Sequence, residues 1–490
     1  MSTLNFNVGG DPKGDQPTLV ADNPPGGSLV ASHFEGGNPP NRFVGTVPAT
    51  ITGGGTIHYD HGRKSFRVIF PPGDGPWEAG MAPCLPPEYN GDSERVVLRY
   101  GPTGRTGLVR LDRNVWIDDG GPWRPKGAPQ FYAVGGWHRG LGAQVQENFQ
   151  YIFDNQGDVV RILGMVNWAG EEIDPRWPDY QSTLDAVFNA ARSAGLRVHF
   201  TVTGGGNDPY GGAQIMLPIL QQHRDDLLLI EAVNEENAST DDAIRIVQLL
   251  KQVGVPISCG LGNTGLENIN KANGRAGATV GILHEERSTD VNRNDRQCWD
   301  FRLLEGAPAC SEPQGPASSV AEETVAFNLA SMRFGRIVCG AGYFLQHEGH
   351  GVFGRTYPYN ANTPPGEPHS NTRFAALRDV PFNPEYFAAV ANAEKHLPLG
   401  CENWSKFNSG QPVVVPADNV NKIYGCREGG RFCEVVIGAD GPVTLRADQL
   451  CQLKVVNPAT AEILAEGHLS QGAQMTVSGI RTYGLIGAIG

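Results

Sequence analysis

The chain has 490 residues, which is too long for a single hydrophobic core, so roughly two to four domains are expected. Its 39 Lys and Arg residues are outnumbered by 52 Asp and Glu residues, and the formal net charge of −13 argues against nucleic acid or an anionic membrane as a partner. The hydrophobic content of 40%, with 64 Gly and 36 Pro, indicates a folded, turn-rich protein.

The N-terminal sequence has no basic segment followed by an apolar run, and no apolar stretch reaches the roughly 18 residues that a membrane span needs. We therefore expect neither a secretory signal nor a transmembrane segment, and a location in the cytoplasm or release in a particle. The nine cysteines show no CxxC spacing, so we expect reduced, mostly buried thiols, no metal site and no cofactor. Cys426 and Cys433 could still bridge a hairpin.

Residues 1–45 are rich in Gly, Pro and Asn, which disfavours helix and predicts an extended arm. Such an arm could hold a homo-oligomer or a larger assembly together. Residues 46–110 contain short β-type runs between Gly and Pro turns and predict a small β-sandwich-like domain.

Residues 111–400 alternate between predicted strands and helices, and eight strand candidates fall at 131–135, 158–164, 197–203, 227–233, 256–261, 279–284, 307–311 and 337–344. Apolar spacing and capping residues predict helices at 180–194, 241–253, 320–334 and 384–396, with Ser239 or Thr240 as the cap of the second. Eight strands alternating with helices match a (β/α)₈ TIM barrel in size and count. A doubly wound open sheet is the alternative, but no Gly-rich dinucleotide turn follows the first strand. Residues 401–490 return to strands and turns and predict a C-terminal β domain.

Polar residues follow two of the apolar strand runs. Asn234 and Glu235 end the run that begins at Leu227 and also contains Glu231, and Ser311 and Glu312 follow Pro308–Cys310. In a (β/α)₈ barrel the active site lies at the C-terminal ends of the strands. Two carboxylates on opposite walls suit cleavage of a glycosidic bond, since one protonates the leaving oxygen while the other attacks the anomeric carbon.

The run Glu231-Ala-Val-Asn-Glu235 resembles the E-x-x-N-E strand end of the clan A retaining glycoside hydrolases, which are (β/α)₈ barrels. The resemblance implies a retaining enzyme that cleaves β-glycosidic bonds of a glycan or polysaccharide. It implies that Glu235 is the acid/base, that Glu312 is the nucleophile, and that Asn234 bonds the sugar 2-hydroxyl.

The same resemblance assigns further substrate-side residues. Arg161 resembles the buried arginine of the clan that orients the nucleophile, and His284 lies where the clan often has a His or Tyr near the nucleophile. Trp168 and Tyr343, on the predicted rim, could stack on sugar faces, although a single aromatic is more often a packing residue. Two departures concern the substrate: Glu236 replaces the usual Pro, and Tyr343, Phe344 and His347 stand where the clan has a Trp.

Other interpretations stay open at this point. Glu235 could cap a helix, Glu312 could be a loop carboxylate, and Glu285 and Glu286 are rival nucleophiles. The barrel could instead be a non-catalytic carbohydrate-binding or structural part of a larger assembly, such as a phage virion. A metal-dependent barrel hydrolase would need His and Asp clustered at several strand ends.

Overall fold

The computed structural model describes residues 105–167, 172–235, 237–262, 264–284, 302–311, 322–346, 377, 383–407, 412–417, 422–437, 442–477 and 482–489, together with the backbone of the strands between residues 3 and 100. The chain divides into two compact units. One comprises residues 1–105 and 189–195, and the other comprises residues 106–188 and 196–490.

The N-terminal unit is built from β-strands. They are β1 (Thr3–Asn7), β2 (Thr18–Asp22), β3 (His33–Glu35), β4 (Arg42–Val44), β5 (Thr46–Val47), β6 (Gly53–Asp60), β7 (Ser65–Ile69), β8 (Trp77–Met81) and β9 (Val96–Tyr100). Seven form one sheet in the order β2-β1-β7-β6-β8-β9-β5, and β3 pairs with β4. Because β1 pairs with both β2 and β7, part of the segment expected to be an arm contributes strands to this sheet. The expected boundaries at residues 45, 110 and 400 stay predictions.

The second unit begins with a three-stranded antiparallel sheet and continues into eight parallel strands. The antiparallel strands are β10 (Arg110–Asp112), β11 (Val115–Asp118) and β12 (Gly121–Trp123). The parallel strands are β13 (Lys126–Pro129), β14 (Val159–Leu163), β15 (Arg197–Thr203), β16 (Leu227–Val233), β17 (Ile257–Gly260), β18 (Val280–Ile282), β19 (Ala307–Cys310) and β20 (Tyr343–Leu345).

The eight parallel strands nearly close into a barrel. Their order in the sheet is β17-β16-β15-β14-β13-β20-β19-β18, so β17 and β18 are the two edges. These edges are joined by backbone hydrogen bonds from Thr279 N to Ile257 O and from His284 N to Gly262 O, each 2.8 Å long. Together with the flanking antiparallel sheets, this arrangement confirms the predicted (β/α)₈ barrel.

The helices of the described residues alternate with these strands. They are α1 (Ala133–His138), α2 (Gly142–Asp154), α3 (Tyr180–Ala194), α4 (Pro209–Gln222), α5 (Thr240–Leu250), α6 (Leu266–Ala276), α7 (Glu322–Val338) and α8 (Asn383–Glu394). Short 3₁₀ helices cover Lys251–Val253 and Cys401–Asn403. The predicted cap of α5 is confirmed, because the Ser239 side chain accepts a hydrogen bond from Asp242 N.

Two strand predictions were wrong in position. The first strand lies at Lys126–Pro129, and residues 131–135 lead into α1. The sequence of this strand has a weak β signal because it contains Gly127. A glycine is needed there, since a Cβ atom at this position would be 1.7 Å from Val159 O. The last strand begins at Tyr343, because the apolar residues from Ile337 end α7. A buried helix end and a buried strand are equally apolar, so hydrophobicity alone did not separate them.

The C-terminal part is a pair of antiparallel sheets. Its strands are β21 (Ser405–Phe407), β22 (Val414–Pro416), β23 (Lys422–Glu428), β24 (Arg431–Ile437), β25 (Val443–Ala447), β26 (Cys451–Val456), β27 (Ile463–Leu469), β28 (Gln474–Val477) and β29 (Thr482–Ile489). Six form the sheet β21-β23-β24-β29-β26-β27, and three form β22-β25-β28. One apolar cluster lies between the two sheets, and another packs α7 and α8 against β23 and β24. Among the described helices, none has the length and apolarity to cross a membrane.

Candidate active site

The end of β16 presents two carboxylates in different surroundings. Glu231 lies within the strand and its side chain is fully buried, whereas one third of the Glu235 side chain is exposed. Between them, Asn234 N bonds Thr203 O over 2.8 Å, and Asn234 O accepts from Asn237 Nδ2 over 2.6 Å. These bonds hold a turn in which Glu235 has φ 56°, a left-handed conformation that is unfavourable for a residue with a Cβ atom.

Glu231 is the centre of a buried hydrogen-bond network. Its Oε2 accepts from Arg161 Nη2 at 2.6 Å, from Arg161 Nε at 3.1 Å and from Thr201 Oγ1 at 2.6 Å. His199 Nε2 lies 3.1 Å from the same oxygen. All four side chains are fully buried, so this network is closed to solvent. Glu231 Oε1 has no hydrogen-bond partner among the described residues and lies 3.7 Å from His284 Nε2.

The environment fixes the charge of the network. Burial alone would raise the pKa of Glu231, but the Arg161 guanidinium and the hydrogen bond from His199 outweigh it and hold that pKa well below its usual range. Burial lowers the pKa of His199 to about 4 and raises that of Tyr343 well above its usual value. At neutral pH the network is thus an ionised Arg161–Glu231 pair with a neutral His199.

Proton positions follow from these charge states. Because Glu231 is ionised and can only accept, the neutral His199 donates from Nε2 to Oε2. His199 Nδ1 then accepts from the Tyr343 hydroxyl, 2.7 Å away. Tyr343 therefore orients His199. The Tyr343 side chain has no exposed surface, so its ring presents no face to a sugar in this structure.

Arg161 also fixes the orientation of Asn234. Arg161 Nη2 donates to Asn234 Oδ1 over 2.8 Å. The amide oxygen is therefore on the guanidinium side, and Nδ2 is on the other side of the amide. Asn234 is only 5% exposed, so its amide is held at the edge of the barrel mouth next to Glu235.

His284 connects the ends of two strands across the barrel. Its Nδ1 is 3.2 Å from Glu235 Oε1, and its Nε2 is 3.0 Å from Ser311 Oγ. Ser311 directly follows β19 and directly precedes Glu312. The ring packs closely on Gly262, where a Cβ atom would be 2.5 Å from the imidazole. One side chain thus spans from Glu235 to the residue next to Glu312.

The structure brings most of the predicted site residues into one connected set that runs from the barrel interior to the end of β16. Those present there are Arg161, Asn234, Glu235, His284 and Tyr343. Other candidates lie outside the described residues: Trp168, Glu236, Glu285, Glu286, Glu312 and His347.

Sequence reasoning missed His199 and Thr201. In β15, every residue is buried, yet polar residues alternate with apolar ones from Arg197 to Thr203. Alternate side chains of a strand point to opposite faces, so this pattern indicates that His199 and Thr201 face the barrel interior. A polar alternation inside a strand of a buried parallel sheet is thus a signal for an interior hydrogen-bond network.

No protein-family model and no curated protein matches this sequence. Among solved structures, one described as a glycoside hydrolase superposes with a TM-score of 0.51 at 8% identity, over 79% of this chain and 97% of the other. A glycoside hydrolase family 5 protein from Bacteroides vulgatus superposes with a TM-score of 0.50 at 11% identity, over 79% and 93%. Both matches extend beyond the barrel. The protein is thus similar to them in fold: a (β/α)₈ barrel with an additional β domain.

Proposed function

We propose that this protein is a glycoside hydrolase that cleaves β-glycosidic bonds with retention, with Glu235 as the acid/base and Glu312 as the nucleophile. The observation that carries the proposal is the bridge by His284, which contacts both Glu235 and Ser311. Glu312 directly follows Ser311 in the sequence. The imidazole of His284 therefore connects the two strand ends at which the carboxylates Glu235 and Glu312 are found. The fold shared with two glycoside hydrolases supports the same reaction class.

The proposed reaction is a double displacement. Glu312 attacks the anomeric carbon while Glu235 gives its proton to the leaving oxygen, and a glycosyl-enzyme forms. Glu235 then takes a proton from water, which hydrolyses this intermediate. Retention requires the two carboxyl groups to be about 5 to 5.5 Å apart. The partial exposure of Glu235 supports its role, since the acid/base must exchange its proton with solvent in every turnover.

The buried residues act through the residues at the surface. Arg161 holds Asn234, whose amide would bond the sugar 2-hydroxyl, and Tyr343 holds His199 in the tautomer that Glu231 needs. Trp168 is proposed as a stacking surface for the substrate. The catalytic part in this proposal is the barrel of residues 111–400, and the first 45 residues are proposed as a contact to other subunits or to a larger assembly.

The test is hydrolysis of a panel of aryl β- and α-glycosides and polysaccharides, with the first-formed anomer followed by NMR. We expect a β-configured product from a β-substrate. Glu235→Gln should lower kcat roughly 10²- to 10⁴-fold, the usual contribution of a general acid. Glu312→Gln should abolish turnover.

Matched controls are available on the same strands. Asp225 precedes β16 and Glu305 precedes β19, so both lie at the opposite ends of the strands from the site, and both are exposed. Asp225→Asn and Glu305→Gln should keep full activity. Full activity in Glu312→Gln, or an inverted product, would refute the mechanism. Glycan binding without any hydrolysis would support the non-catalytic interpretation of the barrel.

A further inference from the structure

Three cysteines of the second unit converge in its interior. The sulfur atoms of Cys401, Cys426 and Cys433 all lie within 4.8 Å of one another, and all three residues are fully buried. They are free thiols in this structure. They lie in the apolar cluster between α7, α8 and the C-terminal sheet, away from the barrel mouth.

Two different parts of the fold supply these thiols. Cys426 on β23 and Cys433 on β24 are directly opposite each other in an antiparallel pair. Cys401 begins the 3₁₀ helix that follows α8, at the end of the barrel. The cluster therefore forms only when the hairpin of the C-terminal sheet is packed against the last segment of the barrel.

The spacing and surrounding charges suit thiolates. Thiolates bound at about 2.3 Å to one tetrahedral or trigonal ion are roughly 4 Å apart, which is within the observed limit of 4.8 Å. Arg124 Nη2 donates to Cys401 Sγ over 3.4 Å, and Lys406 Nζ donates to Cys401 O over 3.1 Å. Arg124 also pairs with the buried Glu402. These two cations and one carboxylate leave one positive charge, which offsets all of the net charge of −1 of Zn(II) held by three thiolates and half of the −2 of Cu(I) held by three thiolates.

The three sulfur atoms are close enough to bind one soft cation together, and such a cation replaces the protons of the thiols when it binds.

We propose that Cys401, Cys426 and Cys433 form a binding site for one thiophilic d¹⁰ cation, Cu(I) or Zn(II). Each thiol loses its proton to solvent as its sulfur–metal bond forms, and no electron is transferred. Three thiolates alone suit trigonal Cu(I), whereas Zn(II) takes a fourth ligand. The bound ion links the β23–β24 hairpin to the end of the barrel, so it stabilises the folded chain and leaves the proposed glycosidase site unchanged.

Solvent reaches close to this cluster. A cleft of about 450 Å³ is lined by Arg124, Glu394, Lys395 and Leu399 among others. Arg124 lines the cleft and also contacts Cys401, so the cleft wall includes a residue in contact with the cluster.

The test uses the full chain without a histidine tag, loaded anaerobically with Zn(II) or with Cu(I) as its acetonitrile complex. We expect about one ion per chain by elemental analysis and three sulfur neighbours by X-ray absorption, at roughly 2.3 Å for zinc. The same spectra distinguish the two ions, since we expect a fourth, lighter neighbour around Zn(II) and no fourth neighbour around Cu(I). The melting temperature should rise on loading, because an ion that binds only the folded state stabilises it.

Single exchanges of the three residues to Ser should weaken binding by at least the roughly 10- to 100-fold that loss of a supporting residue costs. Cys451→Ser is the matched control, because Cys451 is buried in β26 of the same sheet but outside the cluster, and it should bind normally. Alkylation of the denatured wild type without reductant should modify all nine cysteines. A Cys426–Cys433 disulfide, a wild type that binds neither ion, or unchanged binding in the Cys→Ser variants would overturn the proposal.

Discussion

Exchange of Glu231→Gln tests whether the buried network supports the candidate active site. The substitution keeps the shape of the side chain and removes its negative charge. Arg161 is fully buried, and its guanidinium makes two contacts with Glu231 Oε2. Without the carboxylate, the buried guanidinium loses the counter-ion that it has among the described residues.

The expected loss in the free energy of unfolding is about 3 to 5 kcal/mol, the usual cost of removing one partner from a buried ion pair. The pH dependence has a defined sign, because the folded-state pKa of Glu231 is below its ordinary value of 4.5. The stabilisation by Glu231 is therefore fully present above pH 4.5 and is lost as the pH falls through the folded-state pKa. The difference between wild type and Glu231→Gln should be constant from pH 7 to 5 and shrink at lower pH.

Urea unfolding at several pH values measures this difference, and steady-state kinetics measures the effect on the site. Because Arg161 no longer has a fixed position, Asn234 loses its anchor, and kcat should fall roughly 10²-fold, as for small misplacements of a binding group. Glu402→Gln is the matched control, since it breaks the buried pair with Arg124 away from the barrel mouth. It should lose stability and keep kcat. A stability loss under about 1 kcal/mol for Glu231→Gln, the range of a surface ion pair, would refute the reasoning.

Three further predictions concern single residues. Burial lowers the pKa of His199 from 6.5 to about 4. Between these pH values the unfolded chain binds a proton at His199 that the folded chain does not bind. The free energy of unfolding, measured with urea, should therefore fall by about 3 kcal/mol as the pH falls from 6.5 to 4. This pH slope should disappear in His199→Gln. Burial raises the pKa of Glu434 from 4.5 to about 8. Between these pH values the folded chain keeps a proton on Glu434 that the unfolded chain releases. The free energy of unfolding should therefore fall by about 5 kcal/mol as the pH rises from 4.5 to 8. Glu434→Gln should therefore be more stable than wild type at pH 8 by chemical denaturation, and a less stable variant at that pH would contradict the assignment. The imidazole of His284 spans Glu235 and Ser311, whereas an Asn side chain reaches only one of them, so His284→Asn should lower kcat about 10²-fold with little change in the unfolding midpoint.

The sequence was most informative where a local rule and the global fold agree. The apolar spacing in α3 and the Ser239 cap of α5 were predicted, and both are present. The strand that leads to Asn234 and Glu235 was also predicted, because a fully buried parallel strand is largely apolar, here interrupted by Glu231, and stops where it reaches the barrel mouth.

Features that depend on contacts between distant segments were not predicted. The strand at Lys126–Pro129 has little β propensity, and its place depends on Gly127 lying against the next strand. The ion pair of Arg161 with Glu231 was not predicted. The expected role of Arg161 next to Glu312 stays a prediction, because Glu312 lies outside the described residues. Of the cysteine cluster, the sequence indicated only that Cys426 and Cys433 could face each other in a hairpin. The contribution of Cys401 was not predicted, because it comes from a 3₁₀ helix outside that hairpin.

The hydrogen bond between His199 and Tyr343 joins residues that are 144 positions apart in the chain. During synthesis, β14, β15 and β16 are all complete long before the hydroxyl that satisfies His199 Nδ1 has emerged from the ribosome. A nascent barrel therefore holds an incomplete polar interior until its last strand docks, which couples closure of the barrel to completion of the site. A chain truncated before Tyr343 should show faster amide exchange in β15 than the full chain, and equal exchange would show that the interior is completed without the last strand.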